Sequence, residues 1–304
     1  MAGGTGTLGR SLLPLLAASG EPVRILTRGV DGALPTTPGV QVVTGDIRDA
    51  ASVDAAMVGV RTVVSAINGF GGREALGVRV IDRDGNATLV DAAVRAGVEH
   101  IVLISILGAS DDHPMELFRM KAAAEAHLKA SGLHWTIVRP TAYQETWLEV
   151  IGRPLVETGR TRIFGRGRNP INFVSADDVA QIVEQAIVDP SVHGATIEIA
   201  GPENLSFEAF VEVVRSGTGA SGSVSHVPLP MLRLMSHLLR PIKPVLAGQV
   251  AAAVVMNTRD MTADPTERLR RFPSVPCTPL GDVVRRRFRA VADAPSLRPT
   301  SAPR

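Results

Sequence analysis

Several residue types that mark particular protein classes are scarce in this sequence. Cys277 is the one cysteine, which excludes an internal disulfide framework and a cysteine metal cluster. It also fits a reducing cytoplasm, where we expect the protein. No run approaches the ~20 apolar residues that span a bilayer, and we expect no signal peptide. Only three lysines and one tyrosine, Tyr143, are present, so proton transfer by these residue types has few candidates.

Charge and histidine patterns exclude two further classes. The net charge of +2 is close to neutral, so we expect no nucleic-acid partner although the pI is about 9.1. The seven histidines are scattered, without the spacing of H-x-x-x-H or H-E-x-x-H. We therefore predict no metal site.

Short apolar runs alternate with helical patterns through the first half of the chain. The runs are rich in Val and Ile, and most are apolar on both faces, as parallel strands covered by helix layers must be. They lie at 23–27, 39–45, 61–67, 100–105 and 134–140, with helical patterns at 78–96 and 115–131. The alternation predicts an α/β fold with a Rossmann-type, doubly wound parallel sheet.

The character of the sequence changes after Pro140, where strand patterns become sparse and Pro and Gly frequent. We predict a nucleotide-binding domain at 1–142, and a smaller, mostly helical substrate lobe at 143–292 with strand and helix segments that return to the first domain. A disordered tail is expected at 293–304. Two helices of the lobe have N-cap signals: Ser206 before one, and Ser175 before another with Asp178 three residues on, as in a capping box.

The first residues read MAGGTGTLGR, with Gly3, Gly6 and Gly9 spaced as in a phosphate-binding turn. A leucine-rich helix follows at once, and a strand pattern begins at Val23. In such a unit the glycines permit a tight turn, close approach of a diphosphate and close helix packing, while the helix N-terminus faces the anion. A plain strand–helix turn is the alternative. We predict a dinucleotide site formed by Gly3, Thr5, Gly6, Thr7, Leu8 and Gly9.

Arg28 follows the strand at 23–27, where proteins that prefer NAD usually place an acidic residue. The first carboxylate after it is Asp31. A guanidinium can hold a 2′-phosphate with two hydrogen bonds, so the sequence favours NADP over NAD, although NAD stays open. The alternative is a solvated surface arginine.

These segments resemble the atypical short-chain dehydrogenase/reductase superfamily, and within it the NmrA-like group of NAD(P)-binding proteins. The matching stretches occur in the family's order: GGTGTLGR, VRILTR, GDIRD, DGNATLVDAAVRAGVEHIVLIS, KAAAEAHLKASGLHWTIVRPT and FVSADDVAQIVEQAI. The resemblance implies a Rossmann domain with a small C-terminal substrate lobe. It also implies Asp46 and Ile47 near the adenine, Ala66 near a ribose, and Pro140 and Thr141 beside the nicotinamide.

Members of this family have an apolar strand before the first glycine, whereas only Met1 and Ala2 precede Gly3 here. We therefore expect the first strand to be missing, as from a truncated gene model. A sheet without its central strand leaves backbone groups of the neighbouring strands without partners. We therefore expect the protein to have low stability. Adding the upstream codons to the gene is expected to raise its soluble yield.

Enzymes of the superfamily commonly use a Ser, a Tyr and a Lys, with the Lys beside the nicotinamide ribose. Ser105 and Lys121 lie where the Ser and the Lys are expected, but Leu117 stands four residues before Lys121, in the position of the Tyr. Leucine cannot transfer a proton, so the usual mechanism is in doubt. Lys121 is a candidate general base if desolvation lowers its pKa. The competing interpretation is an exposed lysine paired with Glu125.

Two other side chains are candidates for proton transfer. Tyr143 follows the Arg-Pro-Thr segment and is a candidate acid or substrate clamp, or else a pocket-wall aromatic. His113 opens the helix of Lys121 and is a proton shuttle or a loop histidine without a role. A quinone, flavin or azo acceptor can instead take its proton from water once it is held against the nicotinamide.

Three functions remain open. The first is an NADPH-dependent reductase of a small apolar or quinone-like acceptor bound between residues 140–147 and 228–256. The second is a non-catalytic dinucleotide sensor of the NmrA-like kind, and the third is a quinone- or lipid-associated structural subunit. The apolar segments at 228–256 carry Arg233, His237, Arg240 and Lys243. They fit a lid over the substrate better than a helix on a membrane, although peripheral membrane contact stays open. The arginine cluster at 285–289 fits a solvated helix face.

Overall fold

The computed structural model describes residues 1–29, 38–71 and 77–292, with side chains to residue 288. The predicted disordered tail and Asp31 lie outside these residues. The strands are β1 (Val23–Thr27), β2 (Val40–Thr44), β3 (Thr62–Ser65), β4 (His100–Ile104), β5 (His134–Pro140), β6 (Ala142–Tyr143), β7 (Arg160–Phe164), β8 (Ile171–Val174), β9 (Ala195–Ile199), β10 (Glu203–Leu205) and β11 (Ser223–Val227).

The helices connect these strands. The α-helices are α1 (Thr7–Ala18), α2 (Ala50–Met57), α3 (Asn86–Ala96), α4 (Glu116–Lys129), α5 (Gln144–Trp147), α6 (Arg153–Thr158), α7 (Ala176–Val188), α8 (Phe207–Thr218), α9 (Leu229–Leu238), α10 (Pro244–Met256), α11 (Thr266–Arg271) and α12 (Leu280–Ala292). Two π-helical segments, Arg79–Gly85 and Leu148–Gly152, precede α3 and α6, and a 3₁₀ turn spans Pro190–Val192.

The main sheet is parallel and confirms the Rossmann-type prediction. Its strands pair as β2–β1 on one side and β3–β4–β5–β9 on the other. Ala2 joins the two sides by bridging Leu26 and Ser65. The Ala2 amide donates to the Val64 carbonyl at 2.9 Å, and the Leu26 amide donates to the Met1 carbonyl at 3.0 Å. Met1 and Ala2 therefore lie at the sheet centre, directly before the glycine turn.

Helices cover both faces of this sheet, which explains why its inner strands β3 and β4 are mostly apolar and buried. One face packs against α1 and α7, with Leu12 and Val183 fully buried between helix and strand. The other face packs against α2, α3 and α4. All five residues of β4 are buried, as a central parallel strand requires.

The second half of the chain builds a lobe with its own core and also returns to the main sheet through α7 and β9. Strand β8 pairs with β6 and β10, and β7 pairs with β11. The lobe core contains Phe173 and Phe210. The boundary predicted at residue 142 stays a prediction.

The predicted helix caps are only partly correct. Ser206 accepts from the Ala209 amide at 3.1 Å, and Ser175 accepts from the Asp177 amide at 3.3 Å. Asp178 does not complete a capping box, because its carboxylate accepts instead from the amide and hydroxyl of Thr278 at 2.7 Å each. A tertiary contact has replaced the local one.

Residues 228–256 form the two helices that the sequence predicts, α9 and α10, with the break at Arg-Pro-Ile-Lys-Pro. Within the described ranges, every helix is too short or too polar to cross a bilayer. Residues 285–287 of the C-terminal arginine cluster are exposed on α12. All three are ion-paired: Arg285 with Asp282, Arg286 with Asp177 and Arg287 with Glu149.

Candidate functional site

The glycine turn is packed so closely that side chains are excluded from two of its positions. A Cβ added to Gly3, which has a φ of 85°, would lie 2.4 Å from the carbonyl oxygen of Ala66. A Cβ on Gly9 would lie 2.4 Å from the carbonyl oxygen of Gly3. The turn therefore brings α1 against the end of the central strand, and only glycine permits this approach.

Helix α1 begins directly at this turn, with Gly6 as its N-cap and no side-chain cap among the described residues. Its first turn also has no acidic residue. The amides of that turn point to the carboxyl edge of the sheet, where open α/β sheets bind nucleotides. Thr5 and Thr7 flank the turn: the Thr5 carbonyl accepts from Arg10 Nε at 3.1 Å, and the Thr7 hydroxyl lies 3.1 Å from that of Thr146. Leu8 is buried beneath it.

The strand ends beside the turn bring together the residues implied for the adenosine end. Arg28 is exposed directly after β1. Arg48 holds Asp46 with hydrogen bonds of 2.5 to 3.1 Å, and these bonds, with a smaller effect of the Arg28 charge, lower the pKa of Asp46 to about 2. Ile47 is buried and contacts Gly85, where an added Cβ would lie 3.1 Å from Ile47 Cγ1.

Lys121 is buried at the other end of the site, with 5% of its surface exposed. Its ammonium donates to the main-chain carbonyls of Ile67 and Ile104, each at 3.0 Å, and lies 3.0 Å from Asp82 Oδ1. The second oxygen of Asp82 accepts from the Gly69 amide at 2.9 Å. Lys121 thus ties the ends of β3 and β4 together across the carboxyl edge of the sheet.

The alternative of an exposed Lys121 paired with Glu125 is therefore wrong. Both residues are buried and have different partners. Sequence reasoning also missed Asp82 and Asn86. The Asn86 side-chain amide donates to the Asp82 main-chain carbonyl and accepts from the Ser65 hydroxyl. Asp82 lies in the π-helical segment Arg79–Gly85, whose wider turn shifts the side-chain phase away from an α-helical pattern. For that reason the helical pattern of the sequence did not indicate that Asp82 is buried.

Ser105 also has a buried charged partner. Its hydroxyl donates to Glu125, and Glu125 accepts from Arg139 at 2.9 Å and 2.7 Å. These hydrogen bonds raise the pKa of Arg139. The Ser105 hydrogen is thus directed to the carboxylate of α4.

Tyr143 has a buried hydroxyl that lacks a hydrogen-bond partner among the described residues. Burial raises the pKa of Tyr143, with a smaller contribution from the charge of Glu145. The ring packs against the core beneath α1, in the same cluster as Leu8 and Ala66. A buried polar group without a partner is uncommon and marks a place where a ligand atom can bond.

His113 is fixed at the start of α4. Its Nδ1 accepts from the Met115 amide at 3.1 Å, its ring stacks on Phe118 at 3.9 Å, and burial lowers its pKa. A ring held in this way has a role in positioning α4. Its role as a proton shuttle stays a prediction.

The segment after β5 is anchored in the same region. The Thr141 amide donates to the Ile199 carbonyl at 3.0 Å, and its hydroxyl donates to Asn172 at 2.8 Å. The carbonyl of Pro140 accepts from the Leu107 amide at 3.0 Å. These bonds hold the Pro140–Thr141 peptide at the ends of β4 and β5, close to Ser105.

The wall beside Lys121 is apolar. Leu117, one helical turn before Lys121, is buried in a cluster with Val78, Met120 and Ala252 of α10. A separate small cavity of about 30 Å³ lies in the lobe, lined by Trp147, Val150, Ile151, Arg162, Phe164, Phe207, Ala253, Met256 and Asn257. That volume holds roughly one water molecule, so this cavity does not accommodate an aromatic acceptor.

Known proteins share both the sequence and the fold of this site. A family model described as NAD(P)H-binding matches residues 3–190, more than half of the chain. The chain belongs to this NAD(P)H-binding family. It is 30% identical over 206 residues to an NAD(P)H azoreductase of Xenophilus azovorans, covering 67% of this chain and 68% of the relative.

Two further proteins are similar to this NAD(P)H-binding chain. The photosystem II assembly factor Ycf39 of Synechocystis is 25% identical over 78% of this chain and 73% of its own. The crystal structure of the NADPH-dependent quinone oxidoreductase QOR2 of Escherichia coli with NADPH has a TM-score of 0.71 at 22% identity, covering 94% and 98% of the two chains. These matches confirm the resemblance to NmrA-like, atypical short-chain dehydrogenase/reductase proteins.

The geometry fits the cofactor of the family. The turn that excludes side chains at Gly3 and Gly9 leaves main-chain amides to face an anion. At the opposite end, the Lys121 ammonium contacts the carbonyls of Ile67 and Ile104, one helical turn from the apolar cluster of Leu117. A dinucleotide laid along the carboxyl edge of the sheet spans these two ends.

Proposed function

We propose that the protein is an NADPH-dependent reductase of a small apolar or quinone-like acceptor, working in the cytoplasm. The observation that carries the proposal is the glycine turn, with its uncapped helix amides at the centre of the parallel sheet. The relative named as an NAD(P)H azoreductase supports the reaction class.

In this proposal, residues of the chain hold the two ends of the nucleotide. Main-chain amides from Thr5 to Leu8 bind the diphosphate, while Asp46, Ile47 and Ala66 border the adenosine half. Arg28 accepts the 2′-phosphate, because a guanidinium matches its oxygens in charge and geometry. Pro140 and Thr141 flank the nicotinamide, which supplies the hydride when bound.

Lys121 acts on the nicotinamide half through its position and its charge. Its ammonium donates to two main-chain carbonyls and lies 3.0 Å from Asp82 Oδ1 in a buried ion pair. These contacts hold two strand ends together, which is a positioning role. We therefore assign Lys121 to fixing the ends of β3 and β4 beneath the nicotinamide ribose, with Ser105 held next to it by Glu125.

The acceptor lies against the apolar wall of Leu117, Val78 and Ala252. Leucine in place of tyrosine removes a proton donor and adds apolar surface, which suits a quinone or an azo dye that is protonated by water. Tyr143 is the one tyrosine, and in this proposal its hydroxyl donates to the acceptor or to the nicotinamide amide. Burial keeps this hydroxyl protonated, because it raises the pKa.

The test is oxidation of NADPH, followed by its absorbance, against a panel of quinones, azo dyes and aldehydes. We expect turnover with quinones or azo dyes and little with aldehydes, whose reduction requires a proton donor. Tyr143→Phe should raise KM or lower kcat about tenfold, the loss of one hydrogen bond. Tight NADPH binding without turnover on any acceptor contradicts the reductase proposal and favours the non-catalytic sensor. Leucine at position 117, where the catalytic tyrosine of the superfamily is expected, also fits such a sensor.

A further inference from the structure

Helix α9 and the turn that follows it expose an unusual amount of apolar surface. Met231, Leu234 and Leu238 are 53%, 60% and 62% exposed, and Ile242 and Leu246 are 76% and 40% exposed. Elsewhere in the described part of the chain, no two exposed large apolar side chains lie within ten positions of each other in the sequence. A contiguous apolar patch of this kind marks a surface that binds another partner.

Met231, Leu234 and Leu238 lie on one side of α9 because they are three and four positions apart, and Ile242 and Leu246 follow in the turn and in α10. Leu232, on a different side, is fully buried and holds the helix to the protein. Helix α10 is anchored as well, since Gln249 donates to the Phe70 carbonyl at 2.6 Å and Ala252 is buried against Leu117. The apolar side of α9 thus faces outward from an element that is itself held in place.

The charged residues of the chain segment that carries the patch all have one sign. No Asp or Glu occurs between Glu212 and Asp260, while Arg233, Arg240 and Lys243 are exposed. Apolar side chains beside cations are the composition of helices that lie in the headgroup region of anionic bilayers. Each such cation contributes about 1 kcal/mol of attraction close to an anionic surface.

We propose that α9 and the turn at residues 239–243, here named the α9 patch, dock the protein on an anionic lipid surface. The apolar side chains enter the headgroup boundary, and the cations bind lipid phosphates and carboxylates. A second copy of the chain fits less well, since a two-fold interface places a patch against itself and would bring cations together without a carboxylate between them.

The test is co-sedimentation of the full chain with vesicles of phosphatidylcholine alone or mixed with phosphatidylserine. We expect binding only to the mixed vesicles and weaker binding as salt is added. Ile242→Glu should lower the partition coefficient at least tenfold, whereas Val188→Glu, equally exposed at 76% on another part of the surface, should leave it unchanged. The double variant Arg240→Gln/Lys243→Gln should lower it about tenfold, and Arg61→Gln/Arg95→Gln, with the same charge change, should not.

Equal urea midpoints and equal NADPH affinities will show that the variants are folded. Binding of all variants alike, or equal binding to both kinds of vesicle, overturns the proposal. So does self-association in sedimentation velocity that Ile242→Glu abolishes while the native protein ignores vesicles, because the α9 patch would then be an interface between copies. Vesicle binding requires no turnover, so its failure is distinct from failure of the reductase proposal.

Discussion

The two ends of the nucleotide site are built from different parts of the chain. At the diphosphate end, glycines and main-chain amides form the surface, and the close contacts of Gly3 and Gly9 are with backbone atoms. At the nicotinamide end, buried charged side chains form the surface. Lys121 and Asp82 pair with each other, Lys121 donates to a main-chain carbonyl, and Asp82 accepts from a main-chain amide. The first end depends on the absence of side chains, and the second depends on paired charges out of water.

This difference predicts two kinds of sensitivity. Added atoms should destroy the diphosphate end, since nothing there can move aside without displacing backbone. The nicotinamide end should tolerate changes of shape better than changes of charge, because a buried ion without its partner is strongly destabilising.

The largest effect is expected from Gly9→Ala, whose methyl would lie 2.4 Å from the Gly3 carbonyl oxygen. We expect NADPH affinity to fall at least a hundredfold, about 3 kcal/mol, measured by the fluorescence of the bound nucleotide. Gly248→Ala is the matched control, because a Cβ there meets open space on α10. It should leave the affinity unchanged; a similar loss in both variants would show that the turn is not the site.

The second effect concerns the buried pair. Asp82→Asn leaves the Lys121 ammonium buried without a carboxylate and should lower the free energy of unfolding by about 3–5 kcal/mol, measured with urea. Asp54→Asn breaks the exposed pair with Arg95 and should change it by less than about 1 kcal/mol. The double variant Asp82→Leu/Lys121→Met should recover much of the loss. If Asp82→Asn is as mild as Asp54→Asn, the nicotinamide end does not rest on paired charge.

A buried histidine at the amino edge of the sheet provides a further comparison, because it is remote from both ends of the nucleotide site. His100 begins β4, and its Nε2 donates to Thr136, whose own hydrogen goes to the Val192 carbonyl at 3.0 Å. Burial, with smaller effects from His193 and His134, lowers the pKa of His100 to about 4 from its ordinary value of 6.5. The unfolded chain therefore binds the extra proton between these values, and stability is lost as the pH falls through this window.

We expect this histidine to account for about 2 kcal/mol of unfolding free energy lost between about pH 7.5 and pH 4.5. Urea unfolding of the native protein and of His100→Gln, which keeps the bond to Thr136, measures the difference. The variant should lose less stability over the same range. An identical pH dependence of the two proteins would show that His100 is not held neutral.

The smallest effect is expected from Arg28→Ala, at the outer margin of the diphosphate end. Loss of charge-assisted hydrogen bonds should weaken NADPH binding about tenfold and leave NADH binding unchanged. Arg95→Ala, which removes an equal charge from another part of the surface, should affect neither nucleotide. A native preference for NADH would contradict the assignment of the 2′-phosphate.

The glycine turn before α1 could be predicted from the sequence because glycine spacing reports backbone geometry directly. The five apolar runs of the first half likewise became β1 to β5. The pattern is clearest for β4, which is buried over its whole length. The helix caps at Ser175 and Ser206 could also be predicted, because a cap depends on residues adjacent in the sequence.

The nicotinamide end could not be predicted in the same detail. Asp82 lies in a π-helical turn that an α-helical period does not register, and its partners Lys121 and Gly69 are distant in sequence. Glu125 was expected beside Lys121 on one helix, yet it faces Arg139 of the neighbouring strand. Tertiary packing decides which buried charges pair with each other. The spacing of residues in a single sequence does not reveal these pairs.

A crystal structure of the protein with NADPH tests the central claim most directly. We predict the diphosphate oxygens within hydrogen-bond distance of the first amides of α1, and the nicotinamide beside Pro140 and Thr141 above Lys121. A nucleotide bound elsewhere, or a glycine turn that stays closed by protein atoms at saturating NADPH, would contradict it.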